Sequence, residues 1–469
     1  MEIWKGLEAQ LATGGKLSGP HNWSVFSISI DSRTTRKGDL FIALRGTKTD
    51  GHDYIREAFL KGAAAVMVEK LPDNFPSTAP VLLVDDCIVA LQKMAEYRRA
   101  QSKAKIIAVT GSVGKTSTKE MLNVVFSSLG LTHVSAGNNN NEIGVPLSLA
   151  KMPLDVDYAI FEIGMNHAGE IAALTKLVQP HIAIISNVEE VHVEYFPDGI
   201  NGIANAKAEI FEGLTGDNSV AILNKDNQFF DLLSAKARAC GAKQIISFGE
   251  NFMSDMRLVE YSQSPNGNVV HCKVGFDEFG YHISARGKHM ATNSLAVLGA
   301  VKAVGANVKE AASALSSFSA QKGRGQILNI DIGSGKILVI DESYNASPVS
   351  MRAALANLGD MTISGRKIAV IGDMLELGER AGELHEGLAN DIIRDGVDKV
   401  FTVGNFSKRL FNLLPPHIQG KAFAKASEVM PELEKFVQAG DAVLFKASNG
   451  TGLAACIDEL SKMNEILHI

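Results

Sequence analysis

Short apolar runs recur through most of the chain, each closed by a glycine or polar loop and followed by a longer amphipathic stretch. That alternation predicts an α/β protein with mainly parallel sheets. Near the N-terminus, Val25 to Ile30 alternates apolar and polar residues and predicts a half-buried strand. Leu40 to Leu44, Ala63 to Val68 and Val81 to Val84 predict further strands, and Tyr54 to Leu60 a short helix. Leu71 to Pro80, with its prolines, predicts a surface loop, and Gln101 to Lys105 a linker. The middle of the chain predicts strands at Ile106 to Val109, Asp157 to Ile163, His181 to Val188, Ser219 to Leu223 and Gln244 to Phe248. Helices are expected at Lys119 to Leu129, Ala204 to Leu214 and Met290 to Val304. Met256 to Ala285 reads as an antiparallel patch with turns at Pro265-Asn266-Gly267 and Phe279-Gly280. After Gly323-Arg324-Gly325, four strands alternate with helices: Ile337 to Ile340, Lys367 to Ile371, Lys399 to Val403 and Ala442 to Phe445. The intervening helices are Ser350 to Leu358, Glu383 to Arg394 and Glu428 to Val437, a doubly wound pattern.

Length turns this pattern into a domain count. At 469 residues the chain exceeds one core, and about three domains of ~100–200 residues are expected. The boundaries predicted are 1–104, 105–322 and 323–469. An apolar share of 46%, a charged share of 21% and a net charge of −6 describe an ordinary soluble protein and do not suggest nucleic-acid binding. Cys87, Cys240, Cys272 and Cys456 are far apart, which fits reduced thiols in the cytoplasm. No signal-peptide core and no run of ~18 apolar residues is expected.

One stretch carries specific chemistry. The strand Ile106 to Val109 runs into Gly111-Ser112-Val113-Gly114-Lys115-Thr116-Ser117 and then a helix. Glycines let several N–H groups converge on one anion, and the helix N-terminus adds its positive end. Lys115 can reach outer phosphates, and the Thr116 hydroxyl can take a magnesium ion. The general pattern asks for glycine at position 109, where this chain has Val109.

Other candidates lie at predicted strand ends, where open α/β sheets bind ligands. Glu162 closes the strand that begins near Asp157, in the position of a second metal ligand. Glu189, Glu190, His192 and Glu194 follow the next strand and suggest a second cation site. The run Asn138 to Asn141, followed by Glu142, is either a ligand contact or a polar turn. The loops around Arg33 and His52 are equally open to anion binding or to solvated turns. On residue type alone Lys207 reads as a surface lysine. Arg324 stands in a glycine hinge from which it can reach phosphate when domains close. Three polar loops share the rim of the last domain: Asp341 to Pro348, Gly372 to Gly378 and Lys446 to Asn449.

Taken together, these motifs resemble those of the Mur ligases, ATP-dependent amide-bond-forming enzymes of peptidoglycan synthesis. Thr110 to Thr116 matches that family's shortened loop, T-G-[ST]-x-G-K-T, which accounts for Val109. The resemblance spans the chain through Asp31-Ser32-Arg33, Gly38 to Leu44, Asn141 to Pro146, Ala206 to Phe211, Tyr344 to Pro348 and Gly372 to Gly378. It is strongest to the members that add D-alanyl-D-alanine to UDP-N-acetylmuramoyl-tripeptide. The Asp-Asn-Pro-Arg signature of the members that add the third residue is absent.

The resemblance implies a small N-terminal α/β domain that binds the UDP substrate, a central P-loop ATPase-like domain and a C-terminal Rossmann-like domain. ATP and magnesium are the implied cofactors. Lys115 and Thr116 would hold phosphates and metal, Glu162 would ligate metal, and His192 would help place a second ion. Lys207 matches a lysine that is carbamoylated in the family and serves there as a metal ligand. Asn293 would contact adenine, Arg324 the terminal phosphates and Asp341 the ribose. Ser32 and Arg33 would lie by UDP, and Asn141, Glu142, Asn345 and Ser347 would line the substrate site. Asp341-Glu342 in place of Asp-Asp, and Lys446-Ala447-Ser448-Asn449 in place of Lys-Gly-Ser-Arg, depart from the family pattern. A monomer without membrane insertion is expected. The competing readings are a folylpolyglutamate synthetase-like ligase, disfavoured by the domain preceding Lys105, a P-loop ATPase or switch, and an inactive paralogue.

Overall fold

The computed structural model describes residues 2–71, 75–191, 193–264 and 267–466. His192, the expected placer of a second metal, lies outside the described residues, as do Pro265 and Asn266 of one predicted turn. Each third of the chain is built on its own large sheet.

The first is a five-stranded sheet in the order Lys16–Ser18, Val81–Leu83, Ala65–Val68, Asp39–Ile42 and Ser27–Ser29. All its pairs are parallel except the edge pair made by Lys16–Ser18. The single strand expected over Val25 to Ile30 is split. Ser24–Val25 pairs with Trp4–Lys5, Ser27–Ser29 joins the main sheet, and Phe26 between them stays exposed. Pairing with the start of the chain breaks the alternation, so Val25, Ile28 and Ser29 are the buried residues.

The helix Cys87–Gln101 that closes this unit was not expected. Arg98 and Arg99 blur its apolar stripe, yet both are buried. Arg98 donates to Ile3 O, and Arg99 donates to Val178 O at 2.7 Å and Gln179 O at 2.8 Å. Backbone carbonyls thereby offset part of the cost of burying these charges, although Arg98 Nε keeps no partner among the described residues.

The central sheet has nine strands. Lys105–Thr110 lies between Ile182–Ile185 and Tyr158–Glu162, all parallel, with Thr132–Val134 at one edge. Val220–Asn224 and Gln244–Gly249 continue the parallel set. Beyond them Met256–Ser264, Gly267–Val274 and Asp277–Ile283 form the expected antiparallel patch. The turn predicted at Phe279-Gly280 is corrected. Both residues are inside the last strand, and the chain reverses at Gly275-Phe276, where Gly275 takes a left-handed φ of 64°. The helix Lys288–Ala303 packs into the core of this sheet through Leu295, Leu298 and Val301.

The last sheet runs Gln326–Asp331, Lys336–Glu342, Ala442–Lys446, Lys367–Gly372, Lys399–Val403 and Gln419–Phe423. Its pairs are parallel except for the first, Gln326–Asp331 with Lys336–Glu342. Apolar clusters cover both faces of this sheet, as a doubly wound fold requires. The helix expected over Glu383 to Arg394 is two short helices, Ala381–Glu386 and Ala389–Arg394, parted at Gly387-Leu388. Among the described residues no helix is long and apolar enough to cross a membrane.

Candidate active site

The central strand Lys105–Thr110 ends at the phosphate loop, and the helix Lys115–Ser127 follows it. The loop is held from behind by the end of the neighbouring strand. Ser112 Oγ donates to Glu189 O and accepts from Glu189 N, both at 2.9 Å. Ser186 Oγ donates to Val113 O at 2.6 Å. Two glycines are required by space as well as by backbone. A Cβ on Gly111 would meet Ser186 Oγ at 2.0 Å, and one on Gly114 would meet Asn293 Nδ2 at 2.7 Å. Lys115 curls over the loop and donates to Gly111 O and Ser112 O. Burial pushes its pKa down, the Glu162 carboxylate opposes that, and Arg324 adds to it. The loop is therefore closed by its own lysine, which an anion would draw outward.

In front of the loop opens a cleft of about 840 Å³ to which all three domains contribute, among them Glu96, Lys115, Glu162, Arg324 and Tyr344. Thr116, Ser117, Asn141, Glu142 and Asn345 also line it. Glu162 is buried at the end of its strand. Its Oε1 accepts from Asn140 Nδ2 at 2.8 Å, while Oε2 is buried without a partner. A half-satisfied buried carboxylate facing a phosphate loop has the chemistry to hold a hard cation.

Lys207, which its residue type suggested to be a surface lysine, is buried, in the helix Gly199–Ala208. Among the described residues no hydrogen bond or ion pair engages its Nζ. Burial, and then the charge of Lys115, hold its pKa well below the ordinary lysine value. Both influences favour the uncharged form of the amine.

Arg324 lies over the ring of Tyr344, its Cζ 4.0 Å from the centroid. Tyr344 in turn accepts a hydrogen bond at its hydroxyl from Asn138 Nδ2, across the two larger domains. Several of the expected contact residues also make structural hydrogen bonds here. Asp341 is fully buried; its carboxylate accepts from Gly323 N at 2.8 Å and from Ser343 Oγ at 2.6 Å. These bonds tie the Gly323 hinge to the end of the strand Lys336–Glu342. Ser347 caps the helix Pro348–Gly359 in a reciprocal box with Ser350 and does not line the cleft. Asn293 packs against Gly114, which places its amide at the phosphate loop. Asn141 Oδ1 accepts from Gly144 N at 2.9 Å and caps the next helix. Ser32 Oγ donates to Glu57, and exposed Arg33 is chelated by Asp31; neither lines this cleft. Glu189 accepts from Asn187 and Glu190 pairs with Arg380. Among the described residues no three His, Cys, Asp or Glu side chains converge as a metal cluster.

Sequence reasoning missed Lys119, and it flagged the asparagine run and the Lys446 loop without singling out Asn140 or the pair Lys446–Glu342, whose Nζ–Oε2 distance is 2.9 Å. The asparagine run pointed to Asn140, but nothing in a run of identical residues says which one turns inward.

Comparison with known proteins bears on the same residues. The Mur ligase middle domain matches residues 109–301, the Mur ligase glutamate ligase domain 323–449, and the Mur ligase family catalytic domain 24–99. The chain belongs to the Mur ligase family. As a Mur ligase it is an ATP-dependent, amide-bond-forming enzyme. It is 38% identical to UDP-N-acetylmuramoyl-tripeptide–D-alanyl-D-alanine ligase of Rickettsia prowazekii over 97% of this chain and 99% of that one. The ligase of the same name from Bacillus subtilis is 32% identical over 93% of each chain. A crystal structure of MurF from Acinetobacter baumannii superposes with a TM-score of 0.85 at 31% identity, covering 98% of this Mur ligase and 99% of that chain. MurF ligase from Thermotoga maritima in complex with ADP gives a TM-score of 0.77 at 26% identity, covering 94% of this chain and 98% of that one.

Proposed function

We infer that this ligase joins D-alanyl-D-alanine to the terminal carboxylate of UDP-N-acetylmuramoyl-tripeptide, giving the pentapeptide precursor of peptidoglycan. The observation that carries the reading is similarity along essentially the whole chain to ligases of that name. A folylpolyglutamate synthase shares the fold at 16% identity and covers 78% of the chain. That likeness is one of fold alone, and the synthetase and switch readings have no comparable support.

A carboxylate does not accept an amine because its leaving group would be oxide. ATP phosphorylates it, and the acyl phosphate then loses phosphate when the amine attacks through a tetrahedral intermediate. Lys115 leaves its loop carbonyls to meet the transferred phosphoryl group, and Arg324 faces it from the C-terminal side. The loop N–H groups and helix N-terminus hold the remaining phosphate charge. Asn293 meets the nucleotide from beside Gly114. Closure of the cleft excludes water, which would otherwise hydrolyse the acyl phosphate.

The residues fit magnesium. Glu162 Oε2 is a buried oxygen without a partner and Thr116 offers a hydroxyl; so few protein ligands suit an ion that keeps phosphate and water in its shell. Magnesium bound there would supply a Lewis acid to the phosphate oxygens. Lys207 is its third proposed holder. In its uncharged form the amine adds to carbon dioxide, forming an N–C bond and releasing a proton, and the side chain becomes a carbamate anion. Ser32 and Arg33 are proposed for the UDP end, and Asn141, Glu142 and Asn345 for the peptide. A cleft built from all three domains of one chain supports a monomer. Dependence on ATP and a nucleotide-linked substrate supports a cytoplasmic enzyme.

The test is phosphate release from ATP with the two substrates supplied singly and together. Release that needs both establishes the ligase. Release with neither, or none with both, rejects it in favour of an ATPase or switch.

A further inference from the structure

Lys119 stands one turn beyond Lys115 on the phosphate-loop helix, and its side chain is fully buried. A buried ammonium is costly unless each proton finds an acceptor. Lys119 Nζ has three. It donates to Ser135 O at 3.0 Å and Gly137 O at 2.6 Å, and pairs with Glu120 Oε1 at 2.8 Å. The two carbonyls flank Ala136, where the strand Thr132–Val134 gives way to the asparagine loop.

Each tethered residue leads to the cleft. Ser135 Oγ accepts from Glu162 N at 3.1 Å, so it holds the backbone of the carboxylate. Gly137 opens the loop with a left-handed φ of 55°. One residue on, Asn138 reaches Tyr344 of the C-terminal domain. Asn140 then holds Glu162 Oε1, while its own carbonyl accepts from Gly164 N at 2.8 Å. Lys119 thus does not line the cleft, yet both routes from it end at Glu162.

We propose that Lys119 is a positioning residue for the cation site: it anchors the asparagine loop to the phosphate-loop helix, so that Glu162 presents one free oxygen to the ion. The proposal rests on the reading of Glu162 as a magnesium ligand. A thioether or amide in place of the ammonium leaves acceptors unpaired, and the loop can then shift away from Glu162.

The experiment is calorimetric titration of the full-length protein with ADP, with and without magnesium, together with paramagnetic resonance of manganese added to the ADP complex. Lys119→Met is expected to leave metal-free ADP affinity within about twofold and to cut the metal-dependent gain, and manganese affinity, by about tenfold or more. Equal loss of both affinities, or an unchanged metal-dependent gain, overturns the proposal. Glu162→Gln separates the two layers. If it keeps the full metal-dependent gain, the reading of Glu162 is the one that fails. Should Lys119→Met not fold, Lys119→Gln and Asn140→Ala form a double-mutant cycle on metal affinity. The proposal expects non-additive losses, and additive ones overturn it. Failure of both Lys119 variants to fold makes the lysine purely structural and also overturns it.

Discussion

The two joints between domains are built from opposite materials. Where the N-terminal domain meets the central one, the seam is a core. Trp4 is fully buried and donates from Nε1 to Ala150 O at 2.7 Å. Leu147 and Ala150 of the central helix Gly144–Lys151 belong to the same apolar cluster as Trp4, Leu91 and Met94. Where the central domain meets the C-terminal one, the named contacts are polar and several are exposed: Asn138 to Tyr344 and Arg380 to Glu190 at 3.3 Å. The first seam excludes water and resists separation. The second is lined by the cleft, and contacts of its kind are easily exchanged with solvent. Rigidity on one side of the active site and freedom on the other are what a ligase needs if it must open for three substrates and close to protect an acyl phosphate.

The widest separation of the two sides comes from the phosphate loop. Lys115→Ala should lower phosphate release by about a thousandfold or more and leave the thermal transition nearly unmoved, because its acceptors are loop carbonyls at the cleft. A large drop in melting temperature with equal loss of ADP binding would instead make Lys115 part of the scaffold.

Next in size is the apolar seam. Trp4→Ala should cost about 3–5 kcal/mol through the cavity and the lost hydrogen bond. Calorimetry should show the first transition moving down, with nucleotide affinity retained below it. Trp4→Phe, which keeps most of the ring, should lose roughly 1 kcal/mol. If Trp4→Ala weakens ADP binding more than stability, the seam is not the passive weld described above.

Acid should find the same seam. Burial pushes His133 and His181 down to about 4 in the folded protein. His133 Nε2 bonds Ser148 O at 2.9 Å, on the helix that carries Leu147 and Ala150. His181 Nδ1 accepts from Ile106 N at 3.0 Å, and the charge of Arg99 helps keep it neutral. The unfolded chain takes up protons first, near pH 6.5, so this stability is fully present above that pH. It is lost as pH falls toward 4, by up to about 3 kcal/mol for His133 and by less for the half-buried His181, which solvent screens. The melting temperature should therefore fall between pH 7 and 5, and His133→Gln should flatten part of the slope. No change in slope would show that burial at His133 is relieved by water.

These contrasts also explain what was legible beforehand. The phosphate loop announced itself because Gly111, Gly114, Lys115 and Thr116 are local in sequence and their roles follow from backbone geometry. Buried parallel strands such as Lys105–Thr110 and Lys367–Gly372 were legible as apolar runs. The apolar seam was not, since Trp4 and Ala150 are distant in the chain and Arg98 and Arg99 disguise the helix that joins them. Lys207 illustrates the same limit. Its type suggests the surface, and only tertiary packing buries it. The hinge bond of Asp341 to Gly323 N was likewise invisible, because sequence does not show which backbone groups a carboxylate will reach.

The smallest effect expected lies in the polar seam. Arg380→Ala removes an exposed ion pair to Glu190, and such pairs contribute roughly 1 kcal/mol or less. Tyr344→Phe removes the acceptor for Asn138 but leaves a ring beneath Arg324. Neither should shift the melting temperature measurably. Both should act on closure, changing the KM for ATP by about two- to fivefold with a smaller change in kcat. X-ray scattering supplies the direct readout. The native protein should contract when a non-hydrolysable ATP analogue and magnesium are added, because the role proposed for Arg324 requires it to approach the phosphates. The Tyr344→Phe curve should sit between the open and closed ones at subsaturating nucleotide. Scattering curves that superimpose with and without nucleotide would mean that the polar seam is as fixed as the apolar one, and protection of the acyl phosphate would then fall to side chains within the cleft.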